Sequence, residues 1–164
     1  MSTRSGIGYD SHRLAAGRPL VLGGVQLASD LGLEGHSDAD ALTHALIDAL
    51  LGAAGLGDIG EHFPDSDERY RDADSLVLLA QVVELVRGAG FELVNVDATI
   101  VMERPKLGPA RGAIRERLAG VLGITPADVN IKASTGEGIG FVGREEGVAV
   151  IALAALRRER AALA

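Results

Sequence analysis

The chain has 164 residues, 47% of them hydrophobic and 24% charged, with 23 acidic against 16 basic side chains and no cysteine. That length suits one domain with a real core, while a net charge of −7 argues against a nucleic-acid or anionic-membrane surface. The missing thiols exclude disulfides and thiolate metal sites. No apolar run reaches membrane length and no secretory leader pattern opens the chain, so the expected location is cytoplasmic.

Residues 5–13, SGIGYDSHR, read as a short strand on which Asp10 and His12, two apart, project from one face. Residues 18–27 read as a strand or hairpin turning at Gly23-Gly24. A helix over roughly 38–54 follows, with Leu42, Ala45, Leu46, Ala49, Leu50 and Ala53 at the spacing of one buried face. Asp40, His44 and Asp48 stack four apart on a neighbouring face. Ser37 or Asp38 is placed to cap the start, which would leave backbone N–H groups beside His36 and Ser37 for an anion. Residues 61–75 are polar, contain Pro64 and lack an apolar period, which predicts a mobile flap. Asp74 or Ser75 caps a second helix that ends at Gly88 and Gly90.

Residues 93–102 alternate, with Val94, Val96, Ala98, Ile100 and Met102 on one face and Asn95, Asp97 and Thr99 on the other. A third helix over 109–122, a strand over 128–134, a glycine-rich loop and a final buried strand complete the chain. The order β-β-α-α-β-α-β-β predicts an α/β fold of the α+β sandwich kind, in one domain spanning 1–164. Its mixed sheet of four to five strands carries helices on one face. The half-polar strand predicts that the other face packs on a partner subunit.

Asp10, His12 and His44 offer one carboxylate and two imidazoles from two rigid elements, the donor set of a catalytic zinc site with an open position. The same residues also read as a surface Asp-x-His and a half-buried histidine. Asp40 or Asp48 is placed to orient the other ring nitrogen of His44. Asp58 and Asp65 are loop carboxylates that suit a sugar hydroxyl or plain turn chemistry. The run GEGIGFVG at 136–143 is not a dinucleotide fingerprint, because a strand rather than a helix follows it. Ser134, Thr135 and Glu137 instead suit a phosphate and Mg²⁺, or a simple glycine hairpin. No serine or cysteine sits in a nucleophile elbow.

Taken together, GYDSHR, LGGV, GHSDADALTHALIDALLGAAGLGDIG, HFPDSD, ERPKL and NIKASTGEGIGFVGR closely resemble the 2-C-methyl-D-erythritol 2,4-cyclodiphosphate synthase family of the non-mevalonate isoprenoid pathway. The likeness covers the motif-bearing part, about 5–156. The resemblance implies a phosphorus–oxygen lyase that converts 4-diphosphocytidyl-2-C-methyl-D-erythritol 2-phosphate to the cyclic diphosphate and CMP. It implies Zn²⁺, or another divalent metal, on Asp10, His12 and His44, and Mg²⁺ or Mn²⁺ on Glu137 with the diphosphate. It gives His36 and Thr135 transition-state-stabilising positions, with Ser37 near the phosphates. Asp58, Ile59, Gly60, Phe63, Pro64 and Asp65 would meet the methylerythritol part. Residues 102–108, with Lys106 and Leu107, and Ala133, Ser134 and Thr135 would line the cytidine diphosphate site. The resemblance further implies a homotrimer with active sites between subunits. Phe141 and Arg144 would line its central cavity, where some members bind an isoprenoid diphosphate. Glu103 and Arg104 stand where the family is often smaller or neutral, and Ser134 where many members have Thr. Two other readings compete: a metal-dependent phosphohydrolase releasing linear products, and a non-catalytic trimeric sensor of isoprenoid diphosphates.

Overall fold

The structure is a computed structural model that describes residues 2–64 and 66–158. Strand β1 (Ser2–Ala16) runs well beyond the 5–13 read from sequence, because Ser2–Arg13 pair with the whole of the last strand, β7 (Gly147–Arg158), and the pairing of its end with a further strand carries it to Ala16. The hairpin β2 (Leu20–Leu22) and β3 (Val25–Leu27) turns at Gly23-Gly24 as expected. A strand that the sequence pattern did not disclose, β4 (Leu31–Glu34), pairs antiparallel with β1. Four residues are too few for an alternation to stand out. There follow α1 (Ala41–Ala54), the one-turn α2 (Ile59–His62), α3 (Ser75–Gly88), β5 (Phe91–Val101), α4 (Arg111–Leu122), β6 (Val129–Ser134), the one-turn α5 (Gly140–Gly143) and β7.

The main sheet has the order β4-β1-β7-β5-β6, antiparallel except for the parallel pair β5–β6. Both the mixed five-stranded sheet and the single helix layer agree with the sequence reading. Strand periodicity sends Val148, Val150, Ala152, Ala154 and Leu156 of β7, and Val96, Ala98 and Ile100 of β5, into the helix-facing core. Val94 departs from the expected pattern. A register irregularity between Leu93 and Asn95 reverses the parity of β5, so Phe91 faces the core before it and Val96 after it, while Val94 is left exposed.

On the helix-free face, Ile7 and Tyr9 of β1 lie beside Leu153 and Ile151 of β7, all four exposed. Asp97, hydrogen-bonded to Asn130 and Lys132, makes the neighbouring β5–β6 part of that face polar. No helix among the described residues is long and apolar enough to cross a membrane.

Helix α1 lies unusually close to β1. A Cβ on Gly6 would sit 2.1 Å from the Ala49 carbonyl oxygen, and one on Gly8 would sit 1.9 Å from that of Ala45. The obstacle is backbone, which no rotamer change relieves. Substituting Gly8→Ala is expected to cost about 3 kcal/mol or more of stability, read as a lowered midpoint in denaturant unfolding. An unchanged midpoint would show that the helix can lift without loss.

Candidate metal centre and active site

The start of α1 is built differently from the sequence reading. Asp40, not Ser37 or Asp38, is its N-cap, and the helix starts at Ala41. The fully buried Asp40 carboxylate accepts from Gly23 N (2.9 Å), Gly24 N (2.7 Å), Thr43 N (3.0 Å) and Thr43 Oγ1 (2.8 Å). Burial pushes its pKa up, and these four donors pull the other way. Asp40 thus ties the β2–β3 turn to the helix start, while the amides of Asp38, Ala39 and Asp40 are taken up by the Ala73 carbonyl, Ser37 Oγ and Asp38 Oδ1. It does not orient His44. Neither does Asp48, whose carboxylate accepts from Ile59 N at 2.8 Å and so fixes the entry to α2.

Three ligand atoms nevertheless converge as the spacing suggested. Asp10 and His12 point from the helix-facing side of β1, and His44 reaches them from α1. Asp10 Oδ2 is 2.9 Å from His12 Nε2 and 3.1 Å from His44 Nδ1, and the two ring nitrogens are 3.3 Å apart. These edges approach the roughly 3.3 Å expected of a tetrahedral ion with bonds of about 2.0–2.1 Å. The group can hold a metal ion.

The hydrogen bonds around the triad present its lone pairs inward. His12 Nδ1 donates to the Glu34 carbonyl at 2.8 Å, leaving Nε2 free for a metal. The hydroxyl of Ser75 donates to Asp38, and its backbone N–H does the same at 3.0 Å. With its proton committed, Ser75 Oγ accepts from His44 Nε2 at 2.8 Å, so His44 Nδ1 keeps its lone pair for the metal. Ser37 Oγ adds a second contact to Nε2 at 3.2 Å. The sequence reading assigned Asp38 and Ser75 only as helix caps. They lie 37 residues apart, and no local pattern signals their pairing.

Burial works to raise the Asp10 carboxyl, but the hydrogen bonds and charges of His12 and His44 outweigh it and hold the pKa well below the usual range. For His12, desolvation would lower the pKa, yet Asp10 and the Glu34 carbonyl together raise it above the ordinary imidazole value.

The triad opens into a cavity of about 450 Å³ that is also lined by His36, Ser37, Asp48, Ile59, Gly60, Phe63 and Pro64. The segment expected to be a mobile flap forms one wall. Phe63 is buried and meets Tyr70 edge-on at 5.3 Å, while Asp72 N donates to the His36 carbonyl and Asp38 N to the Ala73 carbonyl. The buried Phe63, the partly buried Tyr70 and the backbone links to His36 and Asp38 tie this segment to the start of α1. His36 Nε2 is buried without a hydrogen-bond partner among the described residues. Asp58 caps α2 and is exposed, and Asp65 lies outside the described residues.

The remaining predicted residues do not line this cavity. Ala133, Ser134, Thr135 and Glu137 lie exposed at and just beyond the end of β6. Thr135 Oγ1 donates to Glu137 Oε1 at 2.5 Å. Lys106 borders a separate depression of about 490 Å³ with Glu103, Arg104 and Glu145, whereas Leu107 is buried in the core. Phe141 is exposed and Arg144 pairs with Glu146 at 2.8 Å. The glycine run leads through α5 into β7, as the rejection of a dinucleotide fingerprint required.

Fold and donor set define an α/β enzyme-like site fitted for a divalent metal. A sequence profile of the YgbB family matches residues 3–157, and the chain belongs to that family. It is 61% identical over 149 residues to the 2-C-methyl-D-erythritol 2,4-cyclodiphosphate synthase of Symbiobacterium thermophilum, covering 91% of this chain and 95% of that protein. A solved 2C-methyl-D-erythritol-2,4-cyclodiphosphate synthase with bound CDP superposes with a TM-score of 0.87 at 41% identity, covering 94% of this chain and all of that one. The bifunctional IspDF of Campylobacter jejuni superposes at 0.93 with 44% identity. This chain spans 96% of its own length there but only 43% of that two-activity protein.

Because Ser75 sets the His44 tautomer, Ser75→Ala is expected to weaken divalent-metal affinity about tenfold or more in a chelator-competition titration. In the wild type the metal competes with a proton on His12. Affinity should therefore rise with pH until that raised pKa is passed, and fall as pH drops below it. A pH-independent affinity, or one unchanged in the variant, would contradict this arrangement.

Proposed function

We propose that this chain is an enzyme converting 4-diphosphocytidyl-2-C-methyl-D-erythritol 2-phosphate to 2-C-methyl-D-erythritol 2,4-cyclodiphosphate and CMP. One observation carries the reading: Asp10, His12 and His44 converge at the mouth of a cavity beside the partnerless His36 Nε2, in a chain of the YgbB family. In chemical terms this is a phosphorus–oxygen lyase. An oxygen of the substrate's own 2-phosphate attacks the β-phosphorus, and the bond from that phosphorus to the CMP oxygen breaks, with CMP taking the electron pair. The attacking group is already anionic, which agrees with the lack of a nucleophile elbow in the sequence.

A divalent ion, zinc in our reading, would be held by Asp10, His12 and His44, and Mg²⁺ or Mn²⁺ by Glu137, supplying positive charge to the phosphates when bound. The chain's own residues supply the rest. His36 Nε2, buried and unpartnered, donates to a phosphate oxygen, and Thr135 stabilises the transferring group. Ser37 contacts a phosphate, while Asp58, Ile59, Gly60 and Asp65 bind the methylerythritol hydroxyls. The Phe63–Pro64 wall limits how the substrate folds, and the mutual positioning of its two phosphates can be worth on the order of 7 kcal/mol or more. Lys106, Ala133 and Ser134 bind the cytidine diphosphate, with the buried Leu107 anchoring that stretch in the core.

Residues 1–164 form one synthase domain acting as a homotrimer in the cytoplasm, with each active site shared between neighbours. Two observations support the trimer. The exposed apolar stripe of Ile7, Tyr9, Ile151 and Leu153 needs cover, and Thr135 and Glu137 do not line the triad's cavity within one chain. Phe141 and Arg144 would then border the central cavity, where an isoprenoid diphosphate is the expected ligand. Sedimentation should give about three times the chain mass of 16.9 kDa, falling to the single-chain value in Leu153→Asp. A wild-type monomer would refute the shared site.

The reaction is tested by phosphorus NMR of the protein with the diphosphocytidyl substrate and Mg²⁺. Two mutually coupled phosphorus resonances with CMP are expected, and His44→Ala should lower turnover by at least about 100-fold. Linear phosphate products would mean a phosphohydrolase, and no turnover by the folded, metal-loaded protein would leave a binding role.

A further inference from the structure

Beyond the end of the sheet, two loops that follow the parallel strands β5 and β6 are locked to each other. Met102 N donates to the Ser134 carbonyl at 3.0 Å, so the chain leaves β5 alongside the last residue of β6. The next residue, Glu103, turns its half-buried carboxylate under the glycine loop. Its Oε1 accepts from Gly136 N at 2.7 Å and lies 3.5 Å from Gly138 N. Between these two amides stands Glu137 at φ +52°, followed by Gly138 at φ +72°. A non-glycine residue in the left-handed region is held there against its own preference, and something must stabilise the turn. Two amides of such a turn aimed at one oxygen form a small anion-binding concavity, filled here by a side chain of the same molecule. On the far side, Arg104 forms a paired contact with Glu145, at 3.0 and 2.6 Å, just past α5.

We propose that Glu103 is a positioning residue for the Thr135–Glu137 turn. Its carboxylate replaces the anion that the turn's amides would otherwise attract, holds Glu137 in its left-handed conformation, and so aims that carboxylate and the Thr135 hydroxyl together. In this role Glu103 acts through the backbone of Gly136 and Gly138. This inference rests on the reading of Glu137 as the Mg²⁺ ligand for its effect on the reaction, but not for its effect on the loop. The acceptor oxygen matters more than the charge, since an amide carbonyl also accepts from a backbone N–H, though less strongly than a carboxylate. That separates Glu103→Gln, which keeps an acceptor, from Glu103→Ala, which does not.

The test has two readouts on the full-length protein. Amide hydrogen exchange across residues 135–139, in metal-free and substrate-free protein, should speed up by about tenfold or more in Glu103→Ala, as expected on losing a charge-assisted hydrogen bond. It should stay within about threefold of wild type in Glu103→Gln. In the cyclisation assay, Glu103→Ala should raise the Mg²⁺ concentration for half-maximal rate by about tenfold, and Glu103→Gln should restore it. Glu137→Gln is run beside them. If Glu137→Gln shifts the Mg²⁺ dependence and Glu103→Ala shifts neither readout, the positioning role is overturned. If Glu103→Ala speeds exchange but Glu137→Gln leaves the Mg²⁺ dependence alone, the clamp stands and the magnesium assignment of Glu137 fails. Equal exchange rates in the alanine and glutamine variants, both faster than wild type, would overturn the claim that the acceptor rather than the charge holds the turn.

Discussion

The close approach of α1 to β1 governs most of what the site can do. Gly6 and Gly8 let the helix backbone settle where a Cβ would collide with the carbonyls of Ala49 and Ala45. That contact brings His44, the neighbour of Ala45, within hydrogen-bonding range of Asp10, two residues past Gly8 on the same side of the strand. A helix carried further off by larger side chains would leave His44 short of the carboxylate. The donor set is therefore a product of core packing, and the residues that secure it include two with no side chain at all.

Four aspartates of similar sequence appearance end with four different tasks because each meets different neighbours. Asp10 shares its oxygen between two imidazoles and is held ionised by them. Asp38 fixes the hydroxyl of Ser75, which in turn fixes the tautomer of His44. Asp40 is sealed in the core and joins a glycine turn to a helix start. Asp48 receives the first amide of α2 and is pushed up in pKa chiefly by burial, with the charges of Asp58 and Asp10 adding to that effect. An acidic chain that handles phosphates needs local positive charge, and the triad could hold a metal ion to supply it.

The triad and the Thr135–Glu137 turn occupy separate surfaces of one chain, while the family reading needs them around one substrate. In the proposed trimer a neighbouring subunit would resolve that mismatch, and the apolar stripe on the helix-free sheet face is a suitable seat for one. Glu103 and Arg104, which the resemblance alone left unexplained, both turn out to bind the glycine-rich stretch.

Much was legible in the sequence because it depends on short-range periodicity. The two-residue spacing of Asp10 and His12, the helical stripe from Leu42 to Ala53, the Gly23-Gly24 turn and the motif-rich resemblance led to the fold class, the metal triad and the family. Other features depend on residues distant in the chain, and only the tertiary structure decided them. The bulge at Val94 is set by pairing with β7, the strand β4 by its place beside β1, and the wall beside the triad by Phe63 meeting Tyr70 and by the backbone links of Asp72 and Ala73 to His36 and Asp38. The cap at Asp40 was chosen by the β2–β3 turn that donates to it, not by the helix it begins. Local spacing determines which side chains share a face; which of them meet, and through which atom, is settled by the packing of segments that no local pattern links.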